Sequence, residues 1–337
     1  MIEQLMVEND YSQEENGHTM TAMDRSDGAT NRHLVCVAFV SAVLLSCGCS
    51  SNSEGTVSQR TFGTAEEAVK VLVETTKTGN TDELLAIFGP DAEDLVASSD
   101  AVTAKRNREV FVFAAGEEWR LNDIGKDSKE LEIGHERWPF PVPLVKDAKG
   151  WKFDTVAGRD EILVRRIGRN ELAVVRICKT YVRAQKEYAS LGRDGKPAGI
   201  YARKFNSDAG LHNGLYWPVK RGERWSPLGE LVARASEAGQ PPTKEGKIAP
   251  FHGYLYRILT AQGKAAPGGA KDYVVNGEMS EGFALVAWPA QYDVTGIMTF
   301  MVSDEGVVYE KDLGPETHGA VKAVILYDPD TSWKKEQ

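Results

Sequence analysis

From Asp160 to Ala189 the chain reads DEILVRRIGRNELAVVRICKTYVRAQKEYA, with no proline and one internal glycine, Gly168. Leu163, Ile167, Val174, Ile177, Cys178, Tyr181, Ala184 and Tyr188 recur at the three-to-four-residue spacing of one helical face, which predicts a continuous amphipathic helix of roughly 45 Å. A face that long must be covered by another layer. The other sides carry Arg165, Arg166, Arg169, Arg176, Lys179, Arg183 and Lys186, which reads either as a solvated helix surface or as an anion-binding one. Gly168 weakens the helix by about 1 kcal/mol and marks a bend or a close approach.

The layer that covers it follows in sequence. After a Gly- and Pro-rich stretch to about Lys247, strand-like pieces occur at Tyr254 to Leu259, Tyr273 to Asn276, Phe283 to Trp288, Ile297 to Val302 and Val307 to Lys311. Asn276-Gly277 and Asp304-Glu305-Gly306 are tight-turn signals, so the pattern is an antiparallel meander burying Phe283, Leu285, Ile297 or Met298, and Phe300 against the helix. In NELAVVRICKTYVRAQKEYA and FALVAWPAQYDVTGIMTFMVSDEGVVYEKDLG this half resembles the globular part of type IV pilins and pseudopilins. Pilins carry an apolar membrane span in the first half of that helix, where this chain has Arg165, Arg166 and Arg169. Filament assembly in the pilin manner is therefore not expected.

Ahead of the long helix the order is helices, then strands. Thr64 with Glu67 forms a capping-box pattern, and Ala65, Ala68, Val69, Leu72, Val73 and Thr76 give a helix ending at Gly79. A second helix starts at Thr81-Asp82 and stops at Gly89-Pro90, and a third covers Ala104 to Ala115. Strands are expected at Glu118 to Ile124, Lys129 to Gly134, Pro141 to Lys146 and Gly150 to Thr155, with Asp147-Ala148-Lys149-Gly150 as a hairpin turn. The whole is an α+β layout. This order, with GNTDELLAIFGPDA after the first helix, resembles the cone-shaped nuclear-transport-factor-2-like (NTF2-like) fold, in which a curved sheet wraps helices around a pocket. The domains are expected at 62–158 and 159–333.

The amino-terminal part reads as an export signal. Residues 1–33 carry Glu3, Glu8, Asp10, Glu14 and Glu15 with no base before Arg25, the wrong charge for a signal n-region, so the start is expected at Met20 or Met23. The apolar core Leu34 to Leu45 is too short to span a bilayer but fits a signal h-region, and residues 34–49 close on Leu44-Leu45-Ser46-Cys47. That motif resembles the bacterial lipobox, which implies lipidation at Cys47, with Cys49 as the alternative; a plain secretory signal or an uncleaved anchor is the competing reading. Residues 50–61, beginning SSNSEGTVSQR, have the small polar composition of a tether. An exported protein facing the periplasm and held on a membrane by its lipid is the localisation expected.

Cleavage before Cys47 would leave 42 acids and 38 bases, a net charge of −4 that gives no reason to expect a nucleic-acid partner. Cys49 and Cys178 would be the only other cysteines of the mature chain, too few for a disulfide framework, and Cys178 falls on the apolar helix face as a buried thiol. The segments WPFPVPLVKDAKGWKFDTVAGRDEILVRRIGRNELAVV, YRILTAQGKAAPGGAKDYVVNGEMSEGFALVAWPAQY and GVVYEKDLGPET resemble an exported bacterial family known as the domain of unknown function DUF2950. The resemblance covers Phe62 to Trp333 and implies no reaction, cofactor or substrate.

Motifs for chemistry are few. His135, His212, His252 and His318 are far apart in sequence, with no i, i+4 or i, i+2 pair to hold a metal, so no metal or cofactor is expected. There is no G-x-S-x-G, G-x-x-x-x-G-K-[ST], G-x-G-x-x-G or C-x-x-C, and Arg193-Asp194-Gly195-Lys196 reads as an Asp-Gly turn before a calcium loop. Two aromatic clusters remain: Tyr216-Trp217-Pro218 with Trp225, and Tyr254-Tyr256 with Trp288-Pro289 and Tyr292. Beside Arg257, His212 or Asn213 such rings could stack a sugar or a peptide; the competing reading makes them sheet core and loop anchors. Trp217, Trp225, His212, Tyr254, Tyr256, Arg257 and Trp288 are accordingly the candidate contacts of a non-catalytic binding or envelope-assembly module. Its partners would be the membrane, through the lipid, and an envelope protein or wall polymer. One rival is an envelope enzyme using scattered carboxylates with His212 or His252. The other is a structural subunit that oligomerises through Ile297 to Val302 or the long helix.

Overall fold

The computed structural model describes residues 58–96, 101–219, 224–228 and 250–336, with residues 101–104 given by backbone alone. The lipobox with Cys47 and Cys49, the apolar run before it and most of the tether lie outside the described residues. The architecture is α+β, and the chain divides into two compact units, Met1–Ile162 and Leu163–Gln337.

In the first unit helix α1, Ala65–Thr78, begins where the Thr64 hydroxyl accepts the Glu67 N–H at 3.1 Å, and Glu67 reaches back to the Gly63 N–H at 3.0 Å. The reciprocal bond of the capping box thus closes one residue further out than the usual pattern. Gly79 ends α1 in the left-handed conformation at φ 68. Asn80 caps α2, Thr81–Phe88, and a 3-10 turn at Pro90–Ala92 leads to α3, Glu93–Val96, and then α4, Ala101–Glu117. Five antiparallel strands follow: β1 Trp119–Gly125, β2 Ser128–Ile133, β3 Trp138–Pro139, β4 Leu144–Asp147 and β5 Gly150–Phe153. Their order is β1-β2-β4-β5, with β3 on β2. Phe140 sits at the centre of the core, its ring 5.7 Å from Phe111, 6.3 Å from Phe153 and 6.5 Å from Phe88.

Ordered contacts begin before Phe62. The Gln59 amide donates to the carbonyls of Ile87 at 3.1 Å and Phe153 at 2.7 Å, and Arg60 N–H to Ala86 at 2.7 Å. Phe62 then exchanges two 2.8 Å backbone bonds with Trp151, beside the hairpin turn. Gly150 is required there twice over: its φ is 130, and a Cβ would lie 2.5 Å from the Phe62 carbonyl oxygen.

The long helix α5 spans Thr155–Ala189, starting five residues before the expected Asp160. The Asp154 carboxylate accepts the Ala157 N–H at 3.1 Å and so caps it. Gly158, which reads as a boundary, lies inside the first turns, and a side chain is excluded there because a Cβ would come within 2.6 Å of a Val142 methyl. Gly168 has open space around it, so close packing does not explain that glycine. Among the described residues no helix is long and apolar enough to cross a membrane.

In the second unit β6 Tyr254–Leu259, β11 Ala284–Pro289, β12 Met298–Ser303, β13 Val308–Asp312 and β14 Lys334–Lys335 pair in that order, all antiparallel. Short pairs branch from this sheet between β6 and β11: β7 Ala261–Gln262 with β8 Lys271–Asp272, and β9 Val274–Val275 with β10 Glu278–Met279 around the Asn276-Gly277 turn. The register places Tyr254, Tyr256, Leu285, Ala287 and Phe300 on one face, where Tyr181 of α5 donates to the Ala284 carbonyl at 3.1 Å. Residues of β11 are buried on both faces, because α6, Thr317–Ala320, and the 3-10 turn Val321–Ala323 return to cover the second. Ile297 and Met298 are half-buried, whereas Phe283, Leu285 and Phe300 are buried. Strand β12 is paired along both edges, which removes the free edge that oligomerisation through Ile297 to Val302 would need.

Candidate functional site

The two aromatic clusters separate by environment. Tyr254, Tyr256 and Trp288 are wholly buried, so they offer a ligand no surface in this structure. Tyr254 donates to the Met298 carbonyl at 2.9 Å and Tyr256 to that of Phe251 at 3.3 Å. Arg257 extends over Trp288, 5.4 Å from guanidinium carbon to ring centre, and donates to the carbonyls of Val321 and Val324, both at 2.7 Å. It fastens the carboxyl-terminal cover to the sheet. Tyr292 donates to Asp312 at 3.2 Å.

The other cluster is built around a residue absent from the expected set, Arg193. An Asp-Gly turn, with Asp194 at φ 48 and Gly195 at φ 79, closes with two bonds between Arg193 and Lys196 and aims the Arg193 side chain back at the end of α5. The guanidinium lies 5.0 Å from the ring centres of both Tyr188 and Trp217, an aromatic clamp. Its Nε donates to the Tyr188 carbonyl at 3.3 Å, and its Nη2 is buried without a partner among the described residues. Burial lowers the basicity of this guanidinium; Tyr188 works against that shift and nearby Arg224 adds to it.

His212 joins the same cluster, its ring 4.6 Å from Trp217. Its N–H donates to one Asp194 oxygen at 2.8 Å, its Nδ1 is 3.9 Å from the other, and its carbonyl accepts the Tyr188 hydroxyl at 3.0 Å. Asp194 therefore serves the local backbone as well as the imidazole. Asn213 is tied to Asp208 by two bonds, at 3.0 and 2.8 Å, and holds its own loop. Trp217 is buried, but Trp225 is 80% exposed, in a segment fixed by the bond from Leu228 N–H to Leu215 at 3.0 Å. The structure thus assembles His212, Trp217, Asp194, Arg193 and Tyr188, with Trp225 displayed in the segment beside them.

Of the two histidines of the enzyme reading, His212 thus has the Asp194 carboxylate 3.9 Å away. His252 occupies a turn before β6 at φ 47, where burial and then Arg176 lower its pKa, so it is neutral at pH 7. The Glu310 carboxyl is raised by burial first, then by Glu336 and Glu171. Cys178 is buried and its thiol is pushed up to about 12 by desolvation, which removes its nucleophilicity at neutral pH. Among the described residues no three His, Cys, Asp or Glu side chains are grouped to hold a metal ion.

A family model described as "Protein of unknown function (DUF2950)" matches residues 59–336. The chain belongs to that family. The match begins at Gln59, whose side chain in this DUF2950 member donates to the Ile87 and Phe153 carbonyls. No curated protein and no solved structure matches the chain.

Proposed function

We propose that this DUF2950 member is an exported envelope protein, lipidated at Cys47 or alternatively at Cys49, whose second unit is a non-catalytic binding module for an envelope protein or wall polymer. The lipobox-like Leu44-Leu45-Ser46-Cys47 and the polar stretch from Ser50 support the anchor. The proposal keeps the cone-shaped NTF2-like layout for the first unit, supported by the helices-then-sheet order, and the pilin-like helix-on-sheet for the second.

The observation that carries the binding reading is Trp225, 80% exposed while Trp217, a ring of the clamp, is buried. An indole left in water in a pinned segment, next to the exposed Arg224, suits a partner with a flat apolar face and an anionic group, as in wall sugars bearing peptide carboxylates. Co-sedimentation with purified cell-wall sacculi tests it. The wild-type chain should pellet, and Trp225→Ala should weaken binding by roughly 30-fold, or about 2 kcal/mol. Equal pelleting of both would overturn this contact face. Acyl labelling of wild type beside Cys47→Ala and Cys49→Ala tests the anchor separately.

A further inference from the structure

The outward side of α5 in the second unit is strongly basic. Between Leu163 and Ala189 the helix holds seven bases against two acids, a surplus of five. The whole second unit has 24 bases against 20 acids, so its positive balance resides in this one element. One of the two acids, Glu171, is turned into the sheet, where its carboxylate accepts the N–H groups of Ile297 at 2.8 Å and Met298 at 2.9 Å.

Six of the seven bases, all but Arg166, are in register. Arg169, Arg176 and Arg183 are seven residues apart, as are Arg165, Leu172, Lys179 and Lys186, which sets two adjacent rows along one side of the helix for about 30 Å. Arg176, Lys179, Arg183 and Lys186 are exposed. Within or beside the rows Leu172 is 58% exposed and Val164 63%, and at Gly168 a side chain would meet nothing.

We propose that this face of α5 docks on anionic phospholipid headgroups, the exposed Arg176, Lys179, Arg183 and Lys186 pairing with phosphates and Leu172 and Val164 entering the interface. Polybasic attraction and shallow apolar insertion are the two terms by which a helix lies on a bilayer. A nucleic acid would use the bases and leave Leu172 without a role. The inference takes from the lipid-anchor reading only that the chain works beside a membrane, and the test is run without the anchor.

The chain from Ser50 onward, which keeps every described residue, is sedimented with phosphatidylglycerol–phosphatidylcholine vesicles and with pure phosphatidylcholine. Binding is expected to the first alone and to fall with salt. The exposed triple Arg176→Gln/Lys179→Gln/Arg183→Gln should weaken it roughly a hundredfold. Leu172→Gln should weaken it several-fold while leaving binding to a polyanion such as heparin unchanged. Circular dichroism of both variants guards against misfolding. No binding to anionic vesicles, or binding indifferent to the triple, would overturn the proposal, and binding that the triple abolishes but Leu172→Gln leaves intact would make this a general polyanion surface. None of these outcomes bears on acyl labelling.

Discussion

The two units keep different chemistry in their interiors. Phe88, Phe111, Phe140 and Phe153 fill the first, a hydrocarbon core whose order comes from shape. The second encloses Tyr181, Tyr254, Tyr256, Tyr273 and Tyr327 with Gln185, and every tyrosine except Tyr11 falls in this half. Most of these hydroxyls are bonded, which gives this core directional constraints: Tyr273 donates to Gln262 at 2.7 Å, and Gln185 donates to Tyr181 at 3.0 Å and the Ala202 carbonyl at 2.8 Å and accepts the Ala202 N–H at 2.9 Å. Charge divides likewise. The first unit has 16 bases against 29 acids and the second 24 against 20.

The largest test of this contrast is alkaline titration. Burial raises the phenols of Tyr254 and Tyr256 far above their ordinary range and that of Tyr327 to about 12. In the unfolded chain they ionise near 10. Groups raised on folding contribute stability that is complete below about pH 10 and lost as pH climbs from there toward their folded values. Tyrosinate absorbance should rise cooperatively between about pH 10 and 12 as the second unit unfolds, while amides of β1, β2, β4 and β5 remain protected from hydrogen exchange. Independent phenol titration without unfolding would break the comparison.

Next in size is Phe140→Ala. Removing the ring that touches four others should cost the first unit about 3–5 kcal/mol. Exchange protection should fall in the first sheet and persist in β6, β11, β12 and β13; equal loss in both would mean that the interiors are energetically one. Gly296→Ala is the smaller counterpart in the second unit. A Cβ there would lie 2.1 Å from the Tyr254 hydroxyl, which must leave Met298 or move the strand, at about 1–3 kcal/mol. Thermal unfolding followed by tyrosine near-ultraviolet dichroism measures it, and an unchanged midpoint would mean that the tyrosine core yields as freely as a phenylalanine one.

Legibility in the sequence differed by feature. Strand β6 coincides with its expected bounds and β11 to β13 with theirs to within one residue, because short apolar runs and the Asp304-Glu305-Gly306 turn are local signals. The start of α5 was hidden, since Gly158 is explained by Val142, a contact made through the fold. The same limit governs the site. Nothing near Trp288 or Tyr254 announces that Thr317–Ala323 and α5 will cover both faces of their sheet. Arg193 escaped notice because its Asp-Gly turn was visible while its second clamp ring, Trp217, lies 24 residues on. Composition named the aromatics, but only tertiary structure tells Trp225 from Trp217.

The smallest predicted effect compares how each unit secures α5. In the second, Glu171 binds backbone N–H groups of the sheet from within. In the first, Arg159 donates to Asp94 at 2.8 and 3.2 Å and to the Asp91 carbonyl, with side chains 33% and 61% exposed. The Arg159 hydrogen bond, ahead of its charge, holds the Asp94 carboxyl below the usual range. A depressed carboxylate stabilises above its unfolded pKa, near 3.9, and that contribution is lost as pH falls through the folded value. Water screens this exposed pair, so Arg159→Ala should cost the first unit at most about 1 kcal/mol at neutral pH. The difference from wild type in urea unfolding should shrink with salt and vanish below the Asp94 titration. A deficit that survives acid would assign the role of Arg159 to its bond with the Asp91 carbonyl, and the first unit too would then hold α5 through the backbone.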